Sequence, residues 1–583
     1  MAFRAGRASL ALLLVLLVHA AGVFAQPSVR YQLRVEAPRE LRDLLAERLP
    51  LARWQSDPQM TEALLLRLVA EAEGDAREAA ATRGYFAAKV SSRIDRATDP
   101  WTVVIEIQPG EPVRVERADV RFSGAASTDP DAPPLLQRIR REWRLPPGAR
   151  FTQDAWDDAK REAARSLAAW RYPAARIGDS RARVDPQSGA ASLDVRVDSG
   201  PAFRYGAVEV RGAQRYPDEL IADLSPTQPG ALYERGALDL YERRLLATGY
   251  FVSAQASVAT QEEQADAAPV RVAVIEGRSQ QFEAGLSFNT DVGVRGEARY
   301  RNLNVFDTAY RFRSELQLDS RIKQGRVDLD TPPRSGGRWQ GVFAQARETT
   351  IQNEENRELS AGISHNWGLG GPPSSLFASA HLEEQRIAGA LADNRHAVFF
   401  GYRTQWRDTD SWDAPRRGYI AEISVGGAPQ VLASRQFARG TARASLFIPL
   451  GRHDFLLRGE AGLVIADSRE GIPSTFLFRT GGDQTVRGYP FESLGVQTGT
   501  AIVGGRYLAV GSAEYTHWFG ENWGLAAFID AGDAWDDPKR FEPAIGTGFG
   551  ARFRTPVGPV RADLAYGHET SQWRIHFSVG VVF

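Results

Sequence analysis

The chain has 583 residues, with 71 Lys and Arg against 72 Asp and Glu, a formal net charge of −1. That balance excludes a strongly basic nucleic-acid surface, and the absence of cysteine excludes disulfides, Cys-ligated zinc, iron–sulfur clusters and a thiol nucleophile. A mean hydropathy of −0.33 excludes a membrane protein built from apolar helices. It does not exclude a barrel, whose strands alternate lipid-facing and lumen-facing residues.

Arg4 and Arg7 precede an apolar run, residues 8–18 (ASLALLLVLLV). The run is short of the ~20 residues that span a bilayer as a helix. Val23, Phe24 and Ala25 present small residues where a signal peptidase reads, so residues 1–25 are expected to be a signal peptide, with an N-terminal anchor as the alternative. No later stretch reaches 18 apolar residues, so the mature chain is expected to carry no transmembrane helix. Export to an oxidising compartment suits a chain without thiols.

Residues 26–276 repeat themselves. Three strand-like runs end in glycine: residues 103–110 (VVIEIQPG), 193–200 (LDVRVDSG) and 270–277 (VRVAVIEG). Upstream of each, a helical stretch runs into an aromatic: Gly84-Tyr85-Phe86, Arg171-Tyr172-Pro173 and Gly249-Tyr250-Phe251. The tyrosines are 87 and 78 residues apart, the size of a small domain. Residues 61–82, 153–169 and 234–247 have helical periodicity. Asp154 and Glu234 put carboxylates at helix starts, where the dipole favours them. Gly84 and Gly249 fall where a helix ends in a left-handed residue. Each unit reads strand, helix, helix, strand, strand. This α+β pattern (βααββ) resembles the POTRA domain, with copies expected at 26–112, 113–200 and 201–276.

From residue 277 the texture changes. Aromatic content rises from about 7% to about 12%, and alternation persists to the C-terminus. Phe583, Val581, Val579, Phe577 and Ile575 share one parity, while Gly580, Ser578, His576 and Arg574 share the other. Phe282, Ala284, Leu286 and Phe288 give the first strand the same apolar face. A soluble sandwich also alternates. The export signal, the length of the alternating strands and the terminal aromatic favour a transmembrane antiparallel β-barrel over 277–583. At roughly 20 residues per strand and turn it holds about 16 strands.

Between two strands lies residues 479–495 (RTGGDQTVRGYPFESLG), too polar and glycine-rich for a strand. At its centre Arg487 stands between Val486 and Gly488, followed by Tyr489. In residues 525–532 (LAAFIDAG), Leu525 and Ile529 form the apolar face, so Phe528, Asp530 and Gly532 point inward. A carboxylate aimed into a lumen wants a cation, and Arg487 on an infolded loop could pair with Asp530 and stack on Phe528. Spacing alone leaves a surface turn, with Asp530 facing water, equally open.

The motifs together resemble the BamA/TamA outer-membrane assembly superfamily. Residues 486–489 look like its VRG(F/Y) loop signature and residues 528–532 (FIDAG) like the barrel-wall partner. Residues 548–566 (GFGARFRTPVGPVRADLAY) are similar to its penultimate-strand signature, and residues 408–419 to a mid-barrel turn. Three POTRA units fit the superfamily's TamA branch, whereas a BamA would carry five and a two-partner secretion exporter two plus a plug helix. The resemblance implies a non-enzymatic protein of the bacterial outer membrane, with its POTRA domains in the periplasm. It would assist insertion or secretion of outer-membrane proteins and autotransporters. It also implies a lateral gate between the first and last strands, which here involves Phe282, Ala284, Leu286, Phe577, Val579, Gly580, Val581 and Phe583. The implied partners are a TamB-like inner-membrane-anchored periplasmic protein, unfolded outer-membrane clients and outer-membrane lipid, with no nucleic acid. A BamA-like insertase and a two-partner-secretion exporter remain as alternatives. No cofactor or metal is expected: Asp408, Asp410 and Asp413, and Asp533, Asp536 and Asp537, sit at strand ends where Asp caps turns.

Overall fold

The computed structural model describes residues 28–390, 393–412, 415–555 and 558–582. The expected signal peptide lies outside the described residues. By its contacts the chain divides into two compact units. One holds residues up to 204 with 232–234 and 260–266; the other holds 205–231, 235–259 and 267 onward.

The first unit contains two three-stranded sheets, each with helices on one face. In the first sheet Trp101–Gln108 lies in the middle, parallel to Tyr31–Glu36 and antiparallel to Lys89–Asp95. In the second, Ala190–Asp198 is central between Arg114–Ser123 and Arg176–Asp185. The helices form where periodicity placed them. Thr61 caps Glu62–Thr82 by accepting the Leu64 N–H, and Thr152 caps Gln153–Ala168 by accepting the Ala155 N–H. Leu65, Val69, Ala72 and Ala76 of the first helix, and Trp156, Ala159 and Ala163 of the second, bury one stripe against their sheets. The repeated aromatic is structural: Tyr172 is fully buried and donates to Asp129 Oδ2 at 2.6 Å.

The second unit opens with a third such sheet, Tyr205–Arg211, Ala268–Glu276 and Phe251–Val258, again with the last strand in the middle. The Arg235–Ala247 helix ends shortly before Gly249, which takes φ +79°. Sixteen antiparallel strands then close into a barrel, from Gln280–Asn289 to Gln572–Val582. Closure gives the strands' backbone groups partners without water, which a bilayer demands, and among the described residues the first and last strands register at five positions. The expected alternation holds. Phe282, Leu286, Leu525, Ile529, Phe549 and Ile575 are exposed on the outer face, while Phe528, Asp530, Arg552 and His576 are buried inward. Glycine- and proline-rich stretches that interrupt the pattern at 332–337 and 368–374 are turns between long strands, Ile322–Asp330, Trp339–Ile351, Glu354–Trp367 and Ser374–Ile387.

One carboxylate fastens the turn that follows the third sheet's first strand, and a tyrosine pair carries that sheet onto the barrel. Glu276 accepts the N–H groups of Gln214, Arg215 and Tyr216 at 2.8, 2.7 and 3.2 Å. Tyr216 stacks on Tyr250 at 4.4 Å, and the Tyr250 hydroxyl donates at 2.5 Å to Ala309 O, in the turn between the second and third barrel strands. Burial pushes the Glu276 carboxyl up, but the three backbone donors and Arg215 outweigh it and hold it below the usual range. The stability this lends is present above the ordinary glutamate pKa of about 4.3 and is lost as pH falls through the lower folded value. Glu276→Gln is expected to destabilise the 212–216 turn by about 1–2 kcal/mol at neutral pH. The difference from wild type should shrink below about pH 4. Hydrogen exchange of the turn amides measures both.

Candidate functional site

The long connection between the His453–Ile465 and Tyr507–Trp518 strands folds into the lumen instead of arching over it. Its path is fixed from several sides. Glu383 accepts Ser474 N–H at 2.9 Å, Arg395 donates to Ile472 O at 2.9 Å, and Arg479 pairs with Glu354 and Glu492. Gln352 donates to Phe491 O at 2.9 Å. Phe476 and Phe478 pack with Phe399 and Phe437. The surface-turn alternative is thereby set aside.

At the tip, Arg487 is 2% exposed. Its Nε and Nη2 donate to Asp530 Oδ2 and Oδ1 at 2.7 and 2.9 Å, a bidentate pair. The guanidinium lies over Phe528 at 3.4 Å. Asp530 is further held by Ser512 Oγ at 2.6 Å and by the Arg487 backbone N–H at 3.2 Å. These are the partners the sequence proposed. The structure adds two carboxylates: Arg487 Nη1 donates to Glu514 Oε2 at 2.7 Å and to Asp563 Oδ2 at 3.4 Å. Arg552 binds Glu514 at 3.0 and 2.8 Å and also pairs with Asp563. Arg458, which donates to Ser512 Oγ and Gln484 O, completes the cluster. Buried charges are tolerated because nearly every one has a hydrogen-bonded opposite.

Glycines make the approach possible. A Cβ at Gly546 would collide with Arg487 O, and one at Gly548 with Phe528 and Leu564 O. Gly532 leaves room for Val486, which is fully buried with Tyr489 and Ala544. Gly488 takes φ +95° against Gly567. Tyr489 donates to Ile545 O at 3.2 Å. Below the loop the lumen opens into a cavity of about 1280 Å³, lined by Arg311, Arg326, Trp339, Phe377 and Arg403 of the barrel and Arg243 of the third sheet's helix.

The first and last strands meet along a short seam. Gly285, Leu286, Ser287, Phe288 and Asn289 stand opposite Val582, Val581, Gly580, Val579 and Ser578. Phe282 and Ala284 pair only with the second strand among the described residues. Phe583 lies outside the described residues. Phe577 is held by backbone and side-chain bonds to Thr290. Asp408, Asp410, Asp533, Asp536 and Asp537 lie at or just beyond strand ends, where Asp410 accepts the N–H groups of Arg416 and Arg417, and Asp537 that of Lys539; Asp413 lies outside the described residues.

A lipid-facing barrel of sixteen strands, a loop locked into its lumen and a preceding sheet with βααββ order define an outer-membrane protein of the POTRA–barrel class. Residues 245–583 match the Omp85 superfamily domain, and residues 203–277 match POTRA, described as a surface antigen variable number repeat. The chain belongs to the Omp85 superfamily, and its barrel is an outer-membrane barrel. Among solved structures it is similar to BamA from Haemophilus ducreyi lacking POTRA domains 1-3, with TM-score 0.60 and 14% identity over 80% of this chain and 100% of that one. It is also similar to CdiB from Acinetobacter baumannii, with TM-score 0.48 and 12% identity over 81% of this chain and 91% of that one.

Arg487→Ala would leave Asp530, Glu514 and Asp563 facing one another with one cation fewer. Its expected cost is about 3–5 kcal/mol, the range for breaking a buried ion pair. The temperature at which the folded barrel loses its fast gel mobility should fall, while export is unchanged. Arg487→Lys, which cannot bind Asp530 in two-point fashion, should fall between.

Proposed function

We propose that this protein is the outer-membrane component of a translocation and assembly module of the TamA type. It assists insertion or secretion of outer-membrane proteins, autotransporters among them, through a lateral opening between its first and last strands. The observation that carries this reading is the seam. Among the described residues it pairs five positions on each strand, whereas the Glu354–Trp367 strand pairs along all 14 of its residues with Ser374–Ile387. Each ladder bond contributes about 0.5–1.5 kcal/mol net, so the seam is the cheapest place to part the wall. The lumen is occupied by the barrel's own loop, which disfavours a simple pore. An exposed strand edge can instead pair with a client strand by β-augmentation.

Three successive three-stranded sheets with helices between their first and second strands, the first sheet carrying the extra short helix Pro50–Arg53, support the TamA branch over a BamA-like insertase. On this reading the sheets stand in the periplasm. Their free edges receive unfolded clients and a TamB-like partner anchored in the inner membrane.

The chain has no cysteine, so a disulfide across the seam can be introduced cleanly. Phe288→Cys with Val579→Cys joins residues in register, within the Cα separation a disulfide accepts. Under oxidising conditions autotransporter assembly should fall at least about tenfold and recover with reductant, by analogy with locking a strand-addition site. Undiminished assembly by the locked barrel would refute the lateral route. Depletion separates the branches: selective loss of autotransporters supports the TamA type, and equal loss of all barrel proteins supports a BamA-like insertase.

A further inference from the structure

His576 occupies a junction that none of the superfamily motifs contains. It lies on the last strand, points inward and is 3% exposed. Its Nε2 accepts the Gly488 N–H of the lumen loop at 3.0 Å. A ring nitrogen that accepts carries no proton, so this bond requires the neutral tautomer with hydrogen on Nδ1. Nδ1 faces Asp291 Oδ1 at 3.6 Å, too far for a hydrogen bond but within ion-pair range. Asp291 sits in the turn that follows the first barrel strand, and its Oδ2 accepts the Asp483 N–H of the same loop at 2.7 Å. Gly482 permits that approach, since a side chain there would meet Asp291 Oδ2. The seam's last registered pair is Asn289 with Ser578. The junction therefore lies just beyond the outer end of the seam and touches all three parts of the gate.

We propose that His576 is a positioning residue that switches the last strand between two partners. Neutral, it ties the last strand to the loop through Gly488. Protonated, Nε2 becomes a donor facing another donor, the Gly488 bond is lost, and the new charge draws the ring to Asp291. The last strand is then freed from Gly488 while the outer end of the seam is clasped, and the Arg487 cluster still holds the loop in the lumen. The charged groups around the ring are Asp291 beside the first strand, Asp483 and Arg487 on the loop, Asp563 and Arg561 on the neighbouring strand and Arg458 of the His453–Ile465 strand. Arg487 and Asp563 are committed to the cluster described above. Asp291 and Asp483 are the carboxylates on the side to which a charged ring would turn.

The inference rests on the lateral-gate reading, and the test separates the two. Spin labels at Gln484→Cys on the loop and Gln572→Cys on the last strand, in the full chain in lipid nanodiscs, report the loop–strand distance. Between pH 7.5 and 5.5 the short-distance population should fall about twofold or more. In His576→Gln, whose amide oxygen accepts at either pH, the distribution should not move. No change in the His-containing protein, or the same change in His576→Gln, would overturn the proposal. The first of these outcomes needs no substitution at His576, so it stands if that variant fails to fold. The Phe288/Val579 disulfide is the control for the underlying reading. If the locked barrel stops assembling clients while the distances ignore pH, the gate stands and the switch falls. If the distances respond and the locked barrel still assembles clients, the switch stands and its link to lateral insertion falls.

Discussion

One guanidinium organises the barrel's interior. Arg487 is delivered to the wall by a loop, not by a strand, and meets Asp530, Glu514 and Asp563 from three different strands. Each of these carboxylates would be costly inside a lumen sealed by its own chain, and together they would repel. The arginine turns a cluster of like charges into a network in which Arg552 and Ser512 also find partners. The cation requires the carboxylates, and the carboxylates require the loop to stay in. A polar interior of this kind specifies where the loop lies more than it adds net stability.

The remaining features follow from accommodating that loop. Gly546, Gly548 and Gly532 clear the wall where backbone and ring must approach. Val486 and Tyr489 bury beside the arginine, so the tip is held by packing as well as by charge. The loop's other anchors, on Glu354, Glu383 and Arg395, spread its attachment round the barrel. Among the described residues the seam between first and last strands is the lightly paired one, and at its end the loop contacts the turn after the first strand through Asp291 and the last strand through His576. At the other end of the barrel, Glu276, Tyr216 and Tyr250 carry the third sheet onto the turn between the second and third strands. A conformational change in that sheet therefore has a route to the second barrel strand, which pairs with the strand that borders the seam.

Much of this was legible in the sequence because a strand has a period of two. Leu525 and Ile529 against Phe528 and Asp530 assign inside and outside without knowledge of the fold. Arg487 was legible for a different reason: a lone charge between glycine and an aliphatic residue in a stretch unfit for a strand. The repeat aromatic marked the helix-to-strand junctions at Tyr172 and Tyr250. Glu514 was not legible. It is one inward polar residue among several in the Tyr507–Trp518 strand, and only barrel closure and the loop's path decide which of them meets Arg487. Arg552 and Asp563 lay inside a recognised signature, but their mutual pairing depends on the register of adjacent strands. The short seam is a property of stagger, set when sixteen strands close, and no local pattern encodes it.

The central claim is that Arg487 and Asp530 act as one coupled unit holding the loop in the lumen. A double-mutant cycle with Arg487→Met and Asp530→Leu, read as unfolding free energy in detergent micelles, tests it most directly. A coupling of about 2 kcal/mol or more is expected for residues in one buried network. Additive effects, with a coupling near zero, would contradict the account.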